Sequence, residues 1–129
     1  YGHHPTEVMA VIKTVRAVWP ASRLIMVYQP HRYTRTAELF TEFVRVLSLV
    51  DELILLDVYS AGEKKIPGAT SLDLIKAIAS NKDFEVKHAL NVLDSIDILG
   101  SVCRADDIVC IQGAGNVSLV PRALSPQVL

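Results

Sequence analysis

Arg23-Leu24-Ile25-Met26-Val27-Tyr28 is followed at once by Gln29-Pro30-His31-Arg32-Tyr33-Thr34-Arg35-Thr36, and the change of character between the two decides the fold. A short continuous apolar run is the pattern of a strand covered on both faces. The second stretch is polar and basic and carries a proline. On either side the period is helical. From Thr6 to Trp19, apolar residues fall at Val8, Val11, Ile12, Val15, Val18 and Trp19, with Thr6 placed to cap the helix and Pro20 to stop it. From Thr36 to Val50 the stripe is Leu39, Phe40, Phe43, Val44, Leu47 and Val50, and Glu52 to Val58 (ELILLDV) is a second buried-strand run. Helix, strand, helix, strand with short connectors predicts an α/β three-layer sandwich, a mostly parallel sheet with helices on both faces.

The rhythm continues with less contrast. Ile66-Pro67-Gly68-Ala69 is turn chemistry, and Thr70 or Ser71 caps a helix through Ala79. Phe84 to His88 reads as a short, half-polar strand near a sheet edge. A helix is expected within Ala89 to Gly100, and Asp107 to Gln112 (DIVCIQ) is the clearest late strand. After the turn Gly113-Ala114-Gly115-Asn116 a last helix is expected. Pro121 would leave it short or kinked, and the tail through Pro126 is expected to be loose.

The composition excludes several classes. The 129 residues are 50% hydrophobic, enough for one domain, 1–129, with its own core and too apolar for a disordered chain. Thirteen basic residues face 14 acidic ones for a net charge of −1, with no basic block to neutralise phosphates, so no nucleic-acid partner is expected. No apolar stretch approaches the roughly 20 residues that span a bilayer, so no membrane partner is expected either. The start, Tyr1-Gly2-His3-His4-Pro5, has neither a basic nor an apolar leader segment, and the lack of an initiating Met is expected of a processed or excised segment. Cys103 and Cys110 fit no zinc or redox spacing. Cys110, inside an apolar run, reads as a core residue, and two reduced thiols suit a cytoplasmic protein.

In parallel α/β sheets, ligands bind beyond the carboxyl ends of the strands. The segments just past the strands are therefore where chemistry is sought. Arg32 and Arg35 open a helix three residues apart, and each guanidinium is a planar fork matched to a carboxylate or phosphate. The plainer alternative pairs Arg35 with Glu38 and leaves Arg32 solvated. His3 and His4 precede the first helix. Adjacent side chains diverge, so one histidine in a site with the other capping or packing is expected, and no metal site. Asp57 ends a strand and could meet magnesium, a ribose hydroxyl or an amine, or receive loop N–H bonds. Glu63, in the following loop, could meet the same partners but is expected to face water beside Lys64 and Lys65. Gly113-Ala114-Gly115-Asn116-Val117-Ser118 begins like a dinucleotide fingerprint. It has Ser118 where the third glycine belongs, comes after the wrong strand, and has no acidic residue about 20 positions on, so a nicotinamide cofactor is not expected. No phosphate-loop motif and no Gly-x-Ser-x-Gly elbow occurs.

Four blocks together, Tyr1-Gly2-His3-His4-Pro5-Thr6-Glu7, Gln29 to Thr36, Asp57 to Glu63 and Gln112 to Asn116, resemble in order and separation the C-terminal domain of the Mur ligases, which is Rossmann-like, and cover the chain to about Leu119. The resemblance implies an ATP-dependent ligase of peptidoglycan precursor synthesis, joining L-alanine to UDP-N-acetylmuramate through an acyl phosphate with ATP and magnesium. It implies that an N-terminal domain holds the UDP-sugar and a central domain carries the phosphate loop. The domain at hand would be inactive alone and would bind no cofactor tightly. By the same resemblance Arg32 and Arg35 would hold the alanine carboxylate, with Tyr1 and His3 beside them and Gly113, Ala114, Gly115 and Asn116 lining the same rim. His4 and Asp57 would lie nearer the nucleotide, and no catalytic residue or metal ligand is assigned. The alternatives are a free-standing nucleotide- or anion-binding module without ligase chemistry, and an oxidoreductase domain.

Overall fold

The computed structural model describes residues 3–81 and 85–113. Its sheet is built on β1 (Leu24–Gln29), all six residues of which are buried. β1 pairs in parallel with β2 (Glu52–Leu56) on one side and β4 (Ile108–Gly113) on the other, and β3 (Lys87–Ala89) pairs in parallel with β2 at the edge. The order is β3-β2-β1-β4. Every described pairing is parallel.

Alternate strand residues divide the core in two. Leu24, Met26 and Tyr28 of β1 join Leu53, Leu55 and Cys110 against three helices: α1 (Pro5–Val18), α3 (Phe40–Leu47) and α4 (Ser71–Asn81). Ile25 and Val27 join Ile54, Leu56, Ala89 and Val109 against α5 (Val92–Val102) on the other face. The sandwich read from the sequence is therefore present, with Cys110 in the core and Cys103 exposed.

Several boundaries differ from expectation for identifiable reasons. The cap of α1 is His4, not Thr6: its Nδ1 accepts from the Thr6 N–H at 3.1 Å, and Pro5 fills the first helical position, where a missing N–H is harmless. The helix expected over Thr36 to Val50 is two, α2 (Tyr33–Glu38) and α3, broken at Leu39. Leu39 leaves helical geometry at φ −109° and ψ 20°, while its N–H still donates to the Arg35 carbonyl at 3.0 Å. The break separates a segment at the sheet rim from one whose Phe43, Val46 and Leu47 enter the core. Val50 is buried but lies past the end of α3. The strand expected to reach Val58 ends at Leu56. Thr70 caps α4 reciprocally: its hydroxyl accepts from the Asp73 N–H, and Asp73 accepts from the Thr70 N–H at 3.0 Å. The edge strand begins at Lys87, and α5 runs to Val102, two residues past Gly100. Phe84, the turn beyond Gly113, Pro121 and Pro126 lie outside the described residues. Among the described residues no helix is long and apolar enough to cross a membrane.

The end of the sheet opposite the rim is pinned by charge. Arg23 donates from Nε to Asp107 Oδ1 at 3.2 Å, and from Nη2 to Asp107 Oδ2 and the Val102 carbonyl, each at 2.7 Å. The Arg104 N–H donates to the same carboxylate at 2.7 Å. The Asp107 side chain is 5% exposed. The hydrogen bond from Arg23 outweighs burial and holds this carboxyl below its ordinary 3.8. A depressed folded value contributes stability above the unfolded pKa, and that stability is lost as pH falls through the folded value. Asp107→Asn is expected to lower stability at pH 7 by about 2 kcal/mol, the size of a charge-assisted hydrogen bond, and to flatten the acid limb below pH 4. Urea unfolding across a pH series measures both. An acid limb identical to the parent's would assign the effect to other carboxylates.

Candidate functional site

The β1–β2 pairing continues past both strands. The Tyr59 N–H donates to the Pro30 carbonyl and the Arg32 N–H to the Tyr59 carbonyl, each at 2.8 Å, forming a parallel bridge between His31 and Tyr59. The two rings stack 5.6 Å apart and within 9° of parallel. Arg32 then takes φ +71°, a left-handed conformation rare for a non-glycine residue, and the chain turns into α2. Left-handed Ala61 (φ +51°) and Gly62 (φ +87°) turn the facing loop back.

The two arginines are held differently. Arg35 Nη1 donates to His31 Nδ1 at 2.8 Å and to the His31 carbonyl at 3.3 Å, so it pairs with His31, not Glu38. Arg32 is 45% exposed and lies 3.8 Å from Glu63 Oε2. Glu63 does not face water beside the lysines: it accepts from the Thr34 N–H at 3.1 Å and the Thr34 hydroxyl at 2.6 Å. Those bonds, the hydroxyl's first, hold its carboxyl below the usual range. A guanidinium only donates, so His31 Nδ1 must accept, leaving the proton on Nε2 of a neutral ring. The electrostatics agree: burial first, then the charges of Arg35, Arg32 and His3, lower the His31 pKa, and Glu63 opposes them weakly. His3 thus stands near the same cluster, with Nδ1 3.6 Å from Glu7 Oε1. His4 serves as the cap of α1.

Gly113, the last residue of β4, is paired with Gln29 at φ +122°. A Cβ there would collide with the Gln29 carbonyl oxygen and stand 3.0 Å from the Gln29 nitrogen, so only glycine allows this approach. Gly113 therefore ends on the same rim. Tyr1, Ala114, Gly115 and Asn116 lie outside the described residues. Asp57 is 58% exposed and lies 2.6 Å, Oδ1 to Nε2, from His88 of β3. With Gln29, Tyr59, Ser60 and Asn91 it lines a cleft of about 320 Å³ that the arginines do not line. No group of three or more metal-ligating side chains is gathered among the described residues.

Sequence reading assigned no role to three participants, His31, Tyr59 and His88, and set a fourth, Glu63, facing water. His31 could have been found from its spacing four residues before Arg35. Glu63 could not, since it reaches Thr34 from 29 positions away.

The fold and rim define the class: a Rossmann-like parallel α/β domain that presents two arginines where its central strand ends. The family profile described as "Mur ligase, glutamate ligase domain" matches residues 1–115, and the chain belongs to that family. Two solved structures share its fold. One is a domain assigned to a UDP-N-acetylmuramate:L-alanyl-γ-D-glutamyl-meso-diaminopimelate ligase from Haemophilus ducreyi, at 17% identity and a TM-score of 0.67, covering 95% of this chain and 82% of that one. The other is the UDP-N-acetylmuramate-alanine ligase MurC from Thermotoga maritima, at 19% identity and a TM-score of 0.69, covering 95% of this chain. The present chain spans 24% of that ligase's length.

The neutral His31 ring gives a direct check. In a pH titration followed by nitrogen NMR, His31 is expected to protonate below the ordinary 6.5, with Nδ1 as the unprotonated nitrogen at pH 7. Arg35→Ala should move the midpoint upward but not fully back, because burial is the larger cause. A midpoint above 6.5 in the parent would contradict the arrangement.

Proposed function

We propose that this chain is the C-terminal domain of an ATP-dependent ligase that joins L-alanine to UDP-N-acetylmuramate in peptidoglycan precursor synthesis. The carrying observation is the rim cluster: Arg35 fixed by His31, Arg32 open to solvent, and His3 nearby, in a chain of the Mur ligase family. Two forks of which one is braced and one accessible suit a small carboxylate, the group by which a free amino acid is gripped while its amine reacts. In this reading ATP, held with magnesium by a central domain, would transfer its terminal phosphoryl group to the carboxylate of the UDP-sugar, held by an N-terminal domain, with ADP leaving; the alanine amine would then displace phosphate. This chain's own residues bind and orient. Arg32 and Arg35 hold the carboxylate, and His31, its ring stacked on Tyr59, holds Arg35 through Nδ1 and its carbonyl. Asp57 and its cleft are nearer the nucleotide in this reading. Catalysis by such a domain is mainly positioning.

Arg32→Ala and Arg35→Ala in the full-length ligase are each expected to raise the alanine KM or lower kcat by about tenfold or more, the loss of one charge-assisted contact. Steady-state kinetics with alanine varied measure this, and unchanged values in both variants would remove the carboxylate clamp. The 129-residue chain alone, mixed with ATP, UDP-N-acetylmuramate and alanine, should release no phosphate above blank. Tight binding of a small carboxylate or nucleotide by the isolated chain, with turnover of neither, would instead favour a binding module without ligase chemistry.

A further inference from the structure

We infer that Glu63 is a positioning residue for the arginine pair: it fixes the first turn of α2 and the stance of the Arg32 guanidinium in readiness for the amino-acid carboxylate. The inference rests on the ligase reading above. Arg32, the residue before α2, makes no side-chain cap bond, so the helix opens without a cap of its own. Glu63 supplies one from the facing loop, through the Thr34 N–H at 3.1 Å and the Thr34 hydroxyl at 2.6 Å. Thr34 lies between the two arginines, so this clasp sets the turn on which both are mounted. The oxygen that takes the hydroxyl also faces Arg32, at 3.8 Å. That distance is an ion pair without a tight fork, and Arg32 keeps N–H donors for a ligand. The arrangement restrains Arg32 without consuming it. The backbone supports the same geometry: left-handed Arg32 is anchored to the Tyr59 carbonyl, and the Glu63 N–H donates to the Ser60 carbonyl at 3.0 Å. Both loops are thereby tied together at the point where the carboxylate would arrive.

The test is steady-state kinetics on the full-length ligase with alanine varied, comparing Glu63→Ala, Glu63→Gln, Thr34→Val, Arg32→Ala and the Arg32→Ala/Glu63→Ala double variant. Glu63→Ala should raise the alanine KM about fivefold or more, with kcat within about twofold and the KM values for ATP and UDP-N-acetylmuramate unchanged. Glu63→Gln, which keeps an acceptor for the Thr34 N–H but loses the charge, should show a smaller rise. The double variant should be little worse than Arg32→Ala alone, because Glu63 acts through Arg32. An unchanged or lowered alanine KM in Glu63→Ala, where Arg32→Ala raises it, overturns the inference and leaves the ligase reading intact. A fall in kcat at constant KM, where Arg32→Ala raises KM, overturns it as well. Should Glu63→Ala fail to fold, unchanged alanine KM in both Glu63→Gln and Thr34→Val is decisive against it. If Arg32→Ala and Arg35→Ala both leave alanine kinetics unaltered, the carboxylate clamp itself falls, and this inference with it.

Discussion

Everything in the structure depends on β1 being covered on both faces and paired on both edges. All six of its residues are buried, and its neighbours β2 and β4 run parallel to it on either side. Buried backbone groups must find partners, and here the ladders supply them. Because the strands are parallel, their carboxyl ends emerge together. The segments just past β1, β2 and β4 are brought to one rim although they are far apart in sequence. That convergence comes from pairing direction, and the side chains at the rim inherit it.

The rim itself is an extension of the sheet, not a loose set of loops. The bridge between His31 and Tyr59 carries the β1–β2 pairing beyond the strands, and their stacked rings stiffen it. A left-handed residue then turns each chain: Arg32 on one side, Ala61 and Gly62 on the other. Non-glycine residues hold such conformations only where the surroundings enforce them. Here the enforcement is visible in the Arg32 N–H bond to Tyr59 and the Thr36 bonds to the Arg32 carbonyl. At the opposite end of the sheet the Arg23–Asp107 pair ties β1 to β4, so the strands that deliver the rim are fixed at both ends.

How much of this was legible in the sequence depends on the range of the interactions. The runs RLIMVY and ELILLDV announced buried strands because burial on two faces demands unbroken apolarity, and the stripe of α1 announced an amphipathic helix. The break at Leu39 was not announced, because the apolar stripe Leu39, Phe40 and Phe43 keeps its helical spacing across it. The start of α1 offered two caps, Thr6 by residue type and one of the paired histidines by position, and the bond from the Thr6 N–H to His4 decides between them. The arginine pair was legible as chemistry but not as geometry. Arg35 has a nearby Glu38 in sequence and a better placed His31 in space, and the bond to His31 decides. Glu63 and His88 find their partners 29 and 31 positions away, which no local pattern encodes.

The neutrality of His31 has a consequence for which ions the rim can accept. The two guanidiniums contribute two positive charges, Glu63 removes one, and the His31 ring, deprotonated at neutral pH by burial and by its arginine neighbours, adds none. These four groups therefore carry one net positive charge. A ligand group bearing a single negative charge balances them, whereas a doubly charged phosphate would leave one charge uncompensated in a half-desolvated setting. In the proposed reading, the carboxylate of the amino acid would supply that single balancing charge.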